Sequence, residues 1–513
     1  MRLLLINTNR ATQPYPVMPI GLASVATALS RDGHEVRMLD LCFSEDPHAA
    51  IEQAIDGLRP ELAALSVRNL DNSDLLKFEW FLPEIREMVR TVRRCTDVPV
   101  IIGGSAVSVM PVAVLEYLGC DLGVIGDGEQ VIIELVRKLA ADDPTVAQTP
   151  GVVMRYQGAW IVNPKQPVQE YDLFGTTQLH RWIDVNTYVR HGSIFPIQSN
   201  RGCAFSCIYC TYTQIEGKRY RLRPVELVVQ DLRETYEAAG IDYFEFVDSV
   251  FNVPESHAKD ICRGIIEARL PLRFGAAGVN PRWLTDGLLR LMEQAGFASL
   301  DVTIESASET MLRAMRKGFR REDVLMAAAR VRQTPIKILW VLLLGGPGET
   351  LQTLDESFRF VRERVRPNDV VYITSGIRIY PETPMALTAM EEGIVRNPEE
   401  LIRPTFYLSG ELGIDEMRDR VLQLARECPN VIASFAADDP LIPLAYRWFH
   451  RLGVAQPYWR YAPLLNRLKS RRAQWNHWMR MAGIVGAEEN RLRSERLPLL
   501  ASSGSYYFQH VLA

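Results

Sequence analysis

The residues best placed to do chemistry are three cysteines. Of the eight in this 513-residue chain, Cys203, Cys207 and Cys210 fall inside eight residues, spaced C-x3-C-x2-C. Thiolates are soft ligands that suit iron–sulfur clusters, and most such clusters take four of them. Three leave one iron of a 4Fe–4S cluster open to a ligand that is not protein. A zinc knuckle and a chance cluster are the competing readings. Zinc sites usually close with four ligands, and no fourth Cys or His lies close by. His191 is the nearest histidine, and it precedes the extended stretch that leads into the cysteines. Eight cysteines are sparse for a chain of this length, which argues against a structural disulfide.

Positioning those cysteines takes a strand and a turn. Phe195 to Asn200 reads as the strand, and Arg201-Gly202 turns the chain into the cysteines. With Tyr209 just before the third cysteine, the stretch resembles the signature of radical S-adenosylmethionine (SAM) enzymes. The resemblance implies a 4Fe–4S cluster on Cys203, Cys207 and Cys210, with the open iron chelating the amino and carboxylate groups of SAM. Further strands are read at Tyr243–Val247, Leu272–Ala276, Ser299–Ile304, Ile336–Leu344 and Val370–Ser375, with helical patterns between them. Six β/α units fit the partial barrel of that family, whose chemistry sits at the C-terminal strand ends.

The resemblance also assigns roles at those ends. Tyr209 belongs to the cofactor-binding loop. Asp248 and Ser249 are expected to accept from the SAM ammonium, and Glu305 to take the ribose hydroxyls; a helix N-terminal acid is the plainer role for Glu305. Lys317 or Arg316 is expected either to pair with the SAM carboxylate or to be a solvated cation. Gly345, in Gly345-Gly346-Pro347-Gly348, would let adenine approach the backbone. Arg378 and Tyr380 are the candidate catalytic residues, pointing towards substrate or the SAM carboxylate; the alternative is a hydrogen-bonded barrel rim. Cys42, Cys95, Cys120, Cys262 and Cys428 are isolated and read as small apolar residues.

The N-terminal third alternates apolar runs with helical patterns: strands at Leu3–Ile6, Glu35–Leu39, Leu62–Val67, Val98–Ile102 and Leu122–Ile125, helices at Ile20–Arg31, Ile51–Leu58, Leu82–Arg94 and Glu129–Leu139. That pattern predicts a doubly wound parallel sheet, which binds ligands at its C-terminal strand ends. Four loops lie there: Asn7–Pro19, Ser66–Asp74, Gly103–Pro111 and Gly126–Glu129. Pro19-Ile20-Gly21-Leu22, the Gly33-His34-Glu35-Val36 turn, Gly103-Gly104 and Asp127-Gly128-Glu129 resemble the cobalamin-binding domain of cobalamin-dependent radical SAM proteins. Gly103, Gly104, Asn69, Gly126, Gly128 and Glu129 are the residues expected at the cobalamin, with a tight turn as the plainer role for the glycines and an Asx-rich turn for the loop of Asn69. Many such domains supply a histidine to cobalt from a D-x-H-x-x-G loop. The loop here, Asn9 to Pro16, has none, which implies either no histidine ligand from it or a vestigial domain.

The expected α/β organisation is a cobalamin-type doubly wound domain over 1–142, a linker over 143–190 with a β-hairpin and interface aromatics (Tyr171, Phe174, Trp182, Tyr188), a radical SAM partial (β/α)6 barrel over 191–400, and a helical region over 401–513. The last region carries basic, Trp-rich stretches (458–461 and 467–481) and reads as a cap on the barrel, a substrate lid or a lipid-facing surface, with Ser505–Phe508 tucked back. A net charge of −4 gives no nucleic-acid footprint, and no apolar run reaches eighteen residues. A short apolar run at the N-terminus reads as a strand and not as a signal sequence, so a cytoplasmic location is expected. The resemblance implies a C-methyltransferase that uses SAM, a 4Fe–4S cluster and cobalamin, with a 5′-deoxyadenosyl radical activating an otherwise inert carbon of a small-molecule substrate. A flavodoxin or ferredoxin would donate the electron. Cyclisation or rearrangement without net methylation, and a non-catalytic cobalamin module with a structural cluster, are the alternatives.

Overall fold

The computed structural model describes residues 1–12, 15–165, 177–436 and 441–467. Two parallel sheets dominate it. The first contains β1 (Arg2–Asn7), β2 (Glu35–Asp40), β3 (Leu62–Ser66), β4 (Val100–Gly103) and β5 (Leu122–Val124), followed by β6 (Val152–Tyr156) and β7 (Ala159–Val162), in the order β2-β1-β3-β4-β5-β6-β7. The first five are parallel, while β6 and β7 are antiparallel additions. Leu4, Ile6, Ala63, Leu65 and Ile102 face one layer of helices; Leu3, Leu5, Leu62, Ala64 and Ile101 face the other. Burial on both faces is why these strands read as unbroken apolar runs.

Differences from the sequence expectation have local causes. The helix expected from Ile51 begins at Pro47, because the Asp46 side chain accepts from the backbone N–H groups of His48 and Ala49 at 3.0 Å each. The hairpin placed in the linker is the antiparallel edge of the first sheet, so that sheet runs past residue 142. Gly103–Pro111 is not simply a loop: Ser105–Val109 is a helix, followed by another at Pro111–Leu118. Of the linker aromatics, Trp182 donates to Thr27 Oγ1 at 2.8 Å and Tyr188 donates to Asp40 at 2.8 Å. Tyr171 and Phe174 lie outside the described residues, as do most of 467–481 and all of 505–508.

The chain then makes β8 (Phe195–Ile197), the short antiparallel pair β9 (Asn200–Arg201) and β10 (Arg221–Leu222), and β11 (Tyr243–Phe246), β12 (Arg273–Val279), β13 (Phe297–Glu305), β14 (Lys337–Leu344) and β15 (Val370–Ser375). A second short pair, β16 (Ile377–Arg378) and β17 (Phe406–Tyr407), precedes β18 (Val431–Ala433). Six strands in the order β15-β14-β13-β12-β11-β8 form the expected parallel sheet, and β18 adds a seventh beside β15. The region after residue 401 is therefore not wholly helical. Alternate residues such as Phe244, Phe274, Leu300, Trp340 and Ile373 pack on the surrounding helices. The opposite face is the barrel interior, where Trp459 packs with Leu339, Val341, Val370 and Tyr372. No described helix is long and apolar enough to cross a membrane.

Candidate functional site

The cysteine loop is pinned from three directions. Asp248, fully buried after β11, accepts from Ser199 N at 2.7 Å, Ser199 Oγ at 2.5 Å and Asn200 N at 3.0 Å. Glu216 accepts from Gly202 N at 2.8 Å and Ser249 Oγ at 2.5 Å. Gly202 has φ +90°, and a Cβ there would run into the carbonyl oxygen of Arg219. On the far side Ile208 N donates to Met315 O at 3.2 Å, and Met385 N donates to Ile208 O at 2.9 Å. Asp248 and Ser249, expected at the SAM ammonium, thus hold the loop's entry instead. A carboxylate removed from water takes the donors nearest to it, and for Asp248 these belong to the end of β8.

Cys203, Cys207 and Cys210 are free thiols inside this frame. Burial pushes all three pKa values up, opposed by the nearby Lys317 ammonium. Among the described residues, no three His, Cys, Asp or Glu side chains converge as a single metal ion requires. A 4Fe–4S cluster takes each cysteine sulfur on a different iron, so it does not need the three thiols to converge on one point.

Behind the loop lies a buried triad. Tyr209 donates to Glu305 Oε1 at 2.8 Å, Lys317 Nζ lies 2.6 Å from Glu305 Oε2, and Lys317 donates to the Tyr209 hydroxyl at 3.0 Å. Glu305 sits at φ +56°, where the β13–β14 register shifts between Thr303 and Glu305. A left-handed backbone at a glutamate is a strained position of the kind found at functional sites. Burial raises the Glu305 pKa and Lys317 lowers it. Lys317 was expected at the SAM carboxylate or in solvent; here it neutralises Glu305, because neither charge is stable alone at that depth. Among the described residues, two buried acceptors near the strand ends, Asn200 Oδ1 and Ser308 Oγ, have no hydrogen-bond partner. Orphaned polar atoms at the strand ends fit a polar ligand such as SAM.

Gly345, Arg378 and Tyr380 turn out differently. Gly345 has φ +98°, and a Cβ there would meet Leu408 Cδ1 at 2.8 Å, so packing within the protein accounts for the glycine. Its N–H donates to the buried Glu349. Arg378 donates to Asp71 at 2.7 Å, Ile379 O at 2.6 Å and Leu401 O at 2.8 Å. The Tyr380 hydroxyl lies 3.3 Å from Ser73 Oγ. Both residues are therefore rim, tying the sixth β/α unit to the Ser66–Asp74 loop of the first sheet, and not free groups facing a reactant.

The six residues expected at cobalamin all line one cavity. It measures about 280 Å³ and lies between the first sheet and the cysteine-bearing half, with Gly103, Gly104, Asn69, Gly126, Gly128 and Glu129 on one side and Gln198, Tyr212, Glu216 and Val247 on the other. A second cleft of about 970 Å³ meets it at Asn9, Arg68 and Asn69. A Cβ on Gly103 would meet only Val124 O, at 3.9 Å, and would stand in the cavity; the bare backbone leaves that space for a ligand. Gly104 is required for another reason, since at φ +104° its Cβ would strike Val67 O. The Ser66–Asp74 loop divides: Arg68 and Asn69 line the cavity, while Asp71, Asn72 and Asp74 cap backbone N–H groups as Asx turns.

Glu129 has a second task that its spacing did not reveal. Arg201, two residues before Cys203, donates to Asp127 at 3.1 Å and to Glu129 at 2.6 Å, and Arg221 also pairs with Asp127. These buried pairs join the turn that opens the Gly128–Ala140 helix to the strand that delivers the cysteines. The signal available in sequence was the like-charged pair Asp127/Glu129 and the arginine beside Gly202.

Residues 6–136 match the B12 binding domain family and residues 197–361 the Radical SAM superfamily. The tryptophan 2-C-methyltransferase of Streptomyces laurentii is 26% identical over 451 residues, 76% of this chain and 74% of its own. The anaerobic magnesium-protoporphyrin IX monomethyl ester cyclase of Cereibacter sphaeroides is 24% identical over 353 residues, 66% of this chain and 56% of its own. Among solved structures, the radical SAM methyltransferase TsrM of Kitasatospora setae, with cobalamin and a [4Fe–4S] cluster bound, superposes with a TM-score of 0.79 at 24% identity, covering 92% of this chain and 99% of that one. Residues flanking the cysteine loop of one matched domain line the glycine-walled cavity of the other, and the chain is a radical SAM enzyme of the cobalamin-dependent family.

Proposed function

We propose that this chain is a C-methyltransferase acting on a small molecule held between the two sheets. The observation that supports this most directly is the position of the residues flanking the cysteine loop: Arg201, two residues before Cys203, and Tyr212, Ile215 and Glu216, just after Cys210, line the same cavity as Gly103, Gly104, Gly126 and Gly128. Cys203, Cys207 and Cys210 would hold the 4Fe–4S cluster; Asn200, Glu305 and Ser308 would offer polar groups to SAM; Asn69, Gly103, Gly104, Gly126 and Gly128 would cradle cobalamin. When bound, the cluster supplies an electron for SAM cleavage, and cobalamin supplies a methyl group.

The chain's own residues contribute order and exclusion of water. Asp248 and Glu216 fix the loop's entry, and the Tyr209–Glu305–Lys317 triad fixes a buried carboxylate behind the cysteine loop. Arg201 holds the cavity's two walls together through Asp127 and Glu129. An environment fixed in this way limits reorganisation and side reactions. The Asn9 to Pro16 stretch offers no imidazole, so this proposal assigns cobalt no histidine from it.

The likeness to a cyclase gives a second reading, ring formation with the same cofactors, and one assay separates the two. The anaerobically reconstituted protein is given methyl-labelled SAM, a one-electron reductant and candidate small molecules. Methyl transfer to an inert carbon yields labelled product, S-adenosylhomocysteine and 5′-deoxyadenosine together. Deoxyadenosine without adenosylhomocysteine or labelled product would refute methylation and favour cyclisation.

A further inference from the structure

The cysteine loop has an outer edge. Ala204 and Ser206 are exposed and Phe205 is half-buried between them, so the loop meets solvent beside Cys203 and Cys207. Three segments pack against that edge. Cys203 N donates to Gly217 O at 3.1 Å, which places Lys218 and Arg219 close to the first cysteine. Phe205 lies against Gly318, where a Cβ would meet its ring at 2.8 Å, and Arg316 stands two residues before that glycine. Arg282 donates to Gly318 O at 3.4 Å, and its guanidinium lies 5.7 Å from the ring of Trp283, which is 37% exposed.

This rim is cationic. Lys218, Arg219, Arg282 and Arg316 are exposed and make no ion pair among the described residues, whereas Arg201 and Arg221 are held by Asp127, and Arg313 pairs with Glu309 at 2.8 Å. The acids nearby are engaged. Glu309 also accepts from Arg321 N at 2.9 Å, Asp323 accepts from Arg320 N at 2.8 Å, and Asp286 pairs with Arg330 at 3.8 Å. Glu216 is bound to Gly202 N and Ser249. Glu322 is exposed, but Arg320 and Arg321 directly precede it. On a chain with a net charge of −4, unpaired positive charge gathered round one loop is a local feature and not a property of the whole surface.

We propose that this rim docks an acidic one-electron carrier protein, which delivers the electron required at the cysteine loop. The proposal deepens the reading above and rests on it for the cluster held by Cys203, Cys207 and Cys210. One electron leaves the reduced carrier and enters the cluster; the carrier is oxidised, the cluster is reduced, and no bond forms or breaks. An electron entering here crosses only the loop that bears the cysteines. On the loop's inner side Ile208, Tyr209 and Met315 are buried, and the backbone of Ile208 is bonded to Met315 and Met385, so that side offers no surface to a protein. Opposite charges on two partners raise the rate of encounter and orient it. Arginines round an exposed tryptophan suit a contact of the small, transient kind that redox partners use.

The rate of cluster reduction in the reconstituted holoenzyme tests this, read without substrate by freeze-quench electron paramagnetic resonance. The probes are reduced flavodoxin, an acidic carrier, and photoreduced 5-deazariboflavin, a small uncharged reductant. The expected result is a second-order rate with flavodoxin that falls about tenfold or more in Lys218→Glu/Arg219→Glu and in Arg282→Glu/Arg316→Glu, and that falls in the wild type when salt is raised from about 50 to about 300 mM. The same change of charge in Arg447→Glu/Arg451→Glu, on the helix whose Tyr446 packs against Gly192 just before β8, should leave that rate near the wild-type value. Deazariboflavin should reduce the wild type and every variant alike, which reports an intact cluster in each. A flavodoxin rate unchanged in both rim variants, an equal fall in the Arg447/Arg451 variant, or a wild-type cluster that flavodoxin does not reduce would overturn the proposal. So would an equal loss with deazariboflavin, since the rim would then act on the cluster and not on the carrier. No substrate is present, so absence of methyl transfer mimics none of these results; a wild type that takes up no cluster would instead remove the reading on which the surface rests.

Discussion

Single residues explain why this site is stable as well as reactive in prospect. Lys317 is the one cation within ion-pair distance of Glu305 among the described residues, and breaking a buried pair leaves a charge uncompensated. Lys317→Met should lower stability to denaturant by about 3 kcal/mol, and adding Glu305→Gln should recover most of that loss. Glu349, buried beneath Gly345, has its carboxyl pushed up to about 7 by burial. A folded-state pKa above the unfolded value means the native state holds more protons between pH 4.5 and 7, so this group favours the fold at low pH and its contribution is lost as pH rises through 7. Glu349→Gln should remove that loss: its advantage over the wild type in thermal melts should grow from near zero at pH 4.5 to about 3 kcal/mol at pH 8. Spacing alone made the three cysteines legible. It did not reveal the Arg378–Asp71 pair, because 307 residues separate the partners and only the fold brings them together.

At the level of elements, strand ends and turns do the positioning. The loop that carries the cysteines depends on Asp248, which bonds three donors at the end of β8. Asp248→Asn keeps the shape but cannot accept from all three, so the reconstituted variant should hold less iron and sulfide per chain while its cobalamin content is unchanged. A fall in both would show that Asp248 supports the whole body and not the loop. Gly104→Ala forces a Cβ against Val67 O at positive φ, and should reduce cobalamin uptake while leaving iron content near the wild-type value. Most strands and helices were readable from apolar periodicity because both faces of each parallel sheet are covered. β18 was missed: three residues are too few for any period to show, and pairing with β15 makes them a strand. The β6–β7 hairpin was seen but assigned to a linker, since nothing local says which sheet edge it joins.

Across the whole molecule, the two sheets meet through buried charges and shared loops. Arg201 ties the B12-domain turn to the cysteine strand, and Arg378 ties the barrel's sixth unit to the Asn69 loop. The barrel interior is closed in part by Trp459, 2% exposed, from the chain's C-terminal part. Trp459→Ala should destabilise the protein by about 3 to 5 kcal/mol. The doubly wound domain and the barrel were legible separately, but their mutual contacts were not, because ion pairs between distant segments leave no period in a sequence. The central claim is that the three cysteines leave one iron open to SAM at the wall of the cobalamin cavity. Electron paramagnetic resonance of the reduced, reconstituted protein tests it most directly: addition of SAM should shift the cluster signal in the wild type, and no cluster signal should appear in Cys207→Ala. A wild-type signal that SAM leaves unchanged would contradict the account.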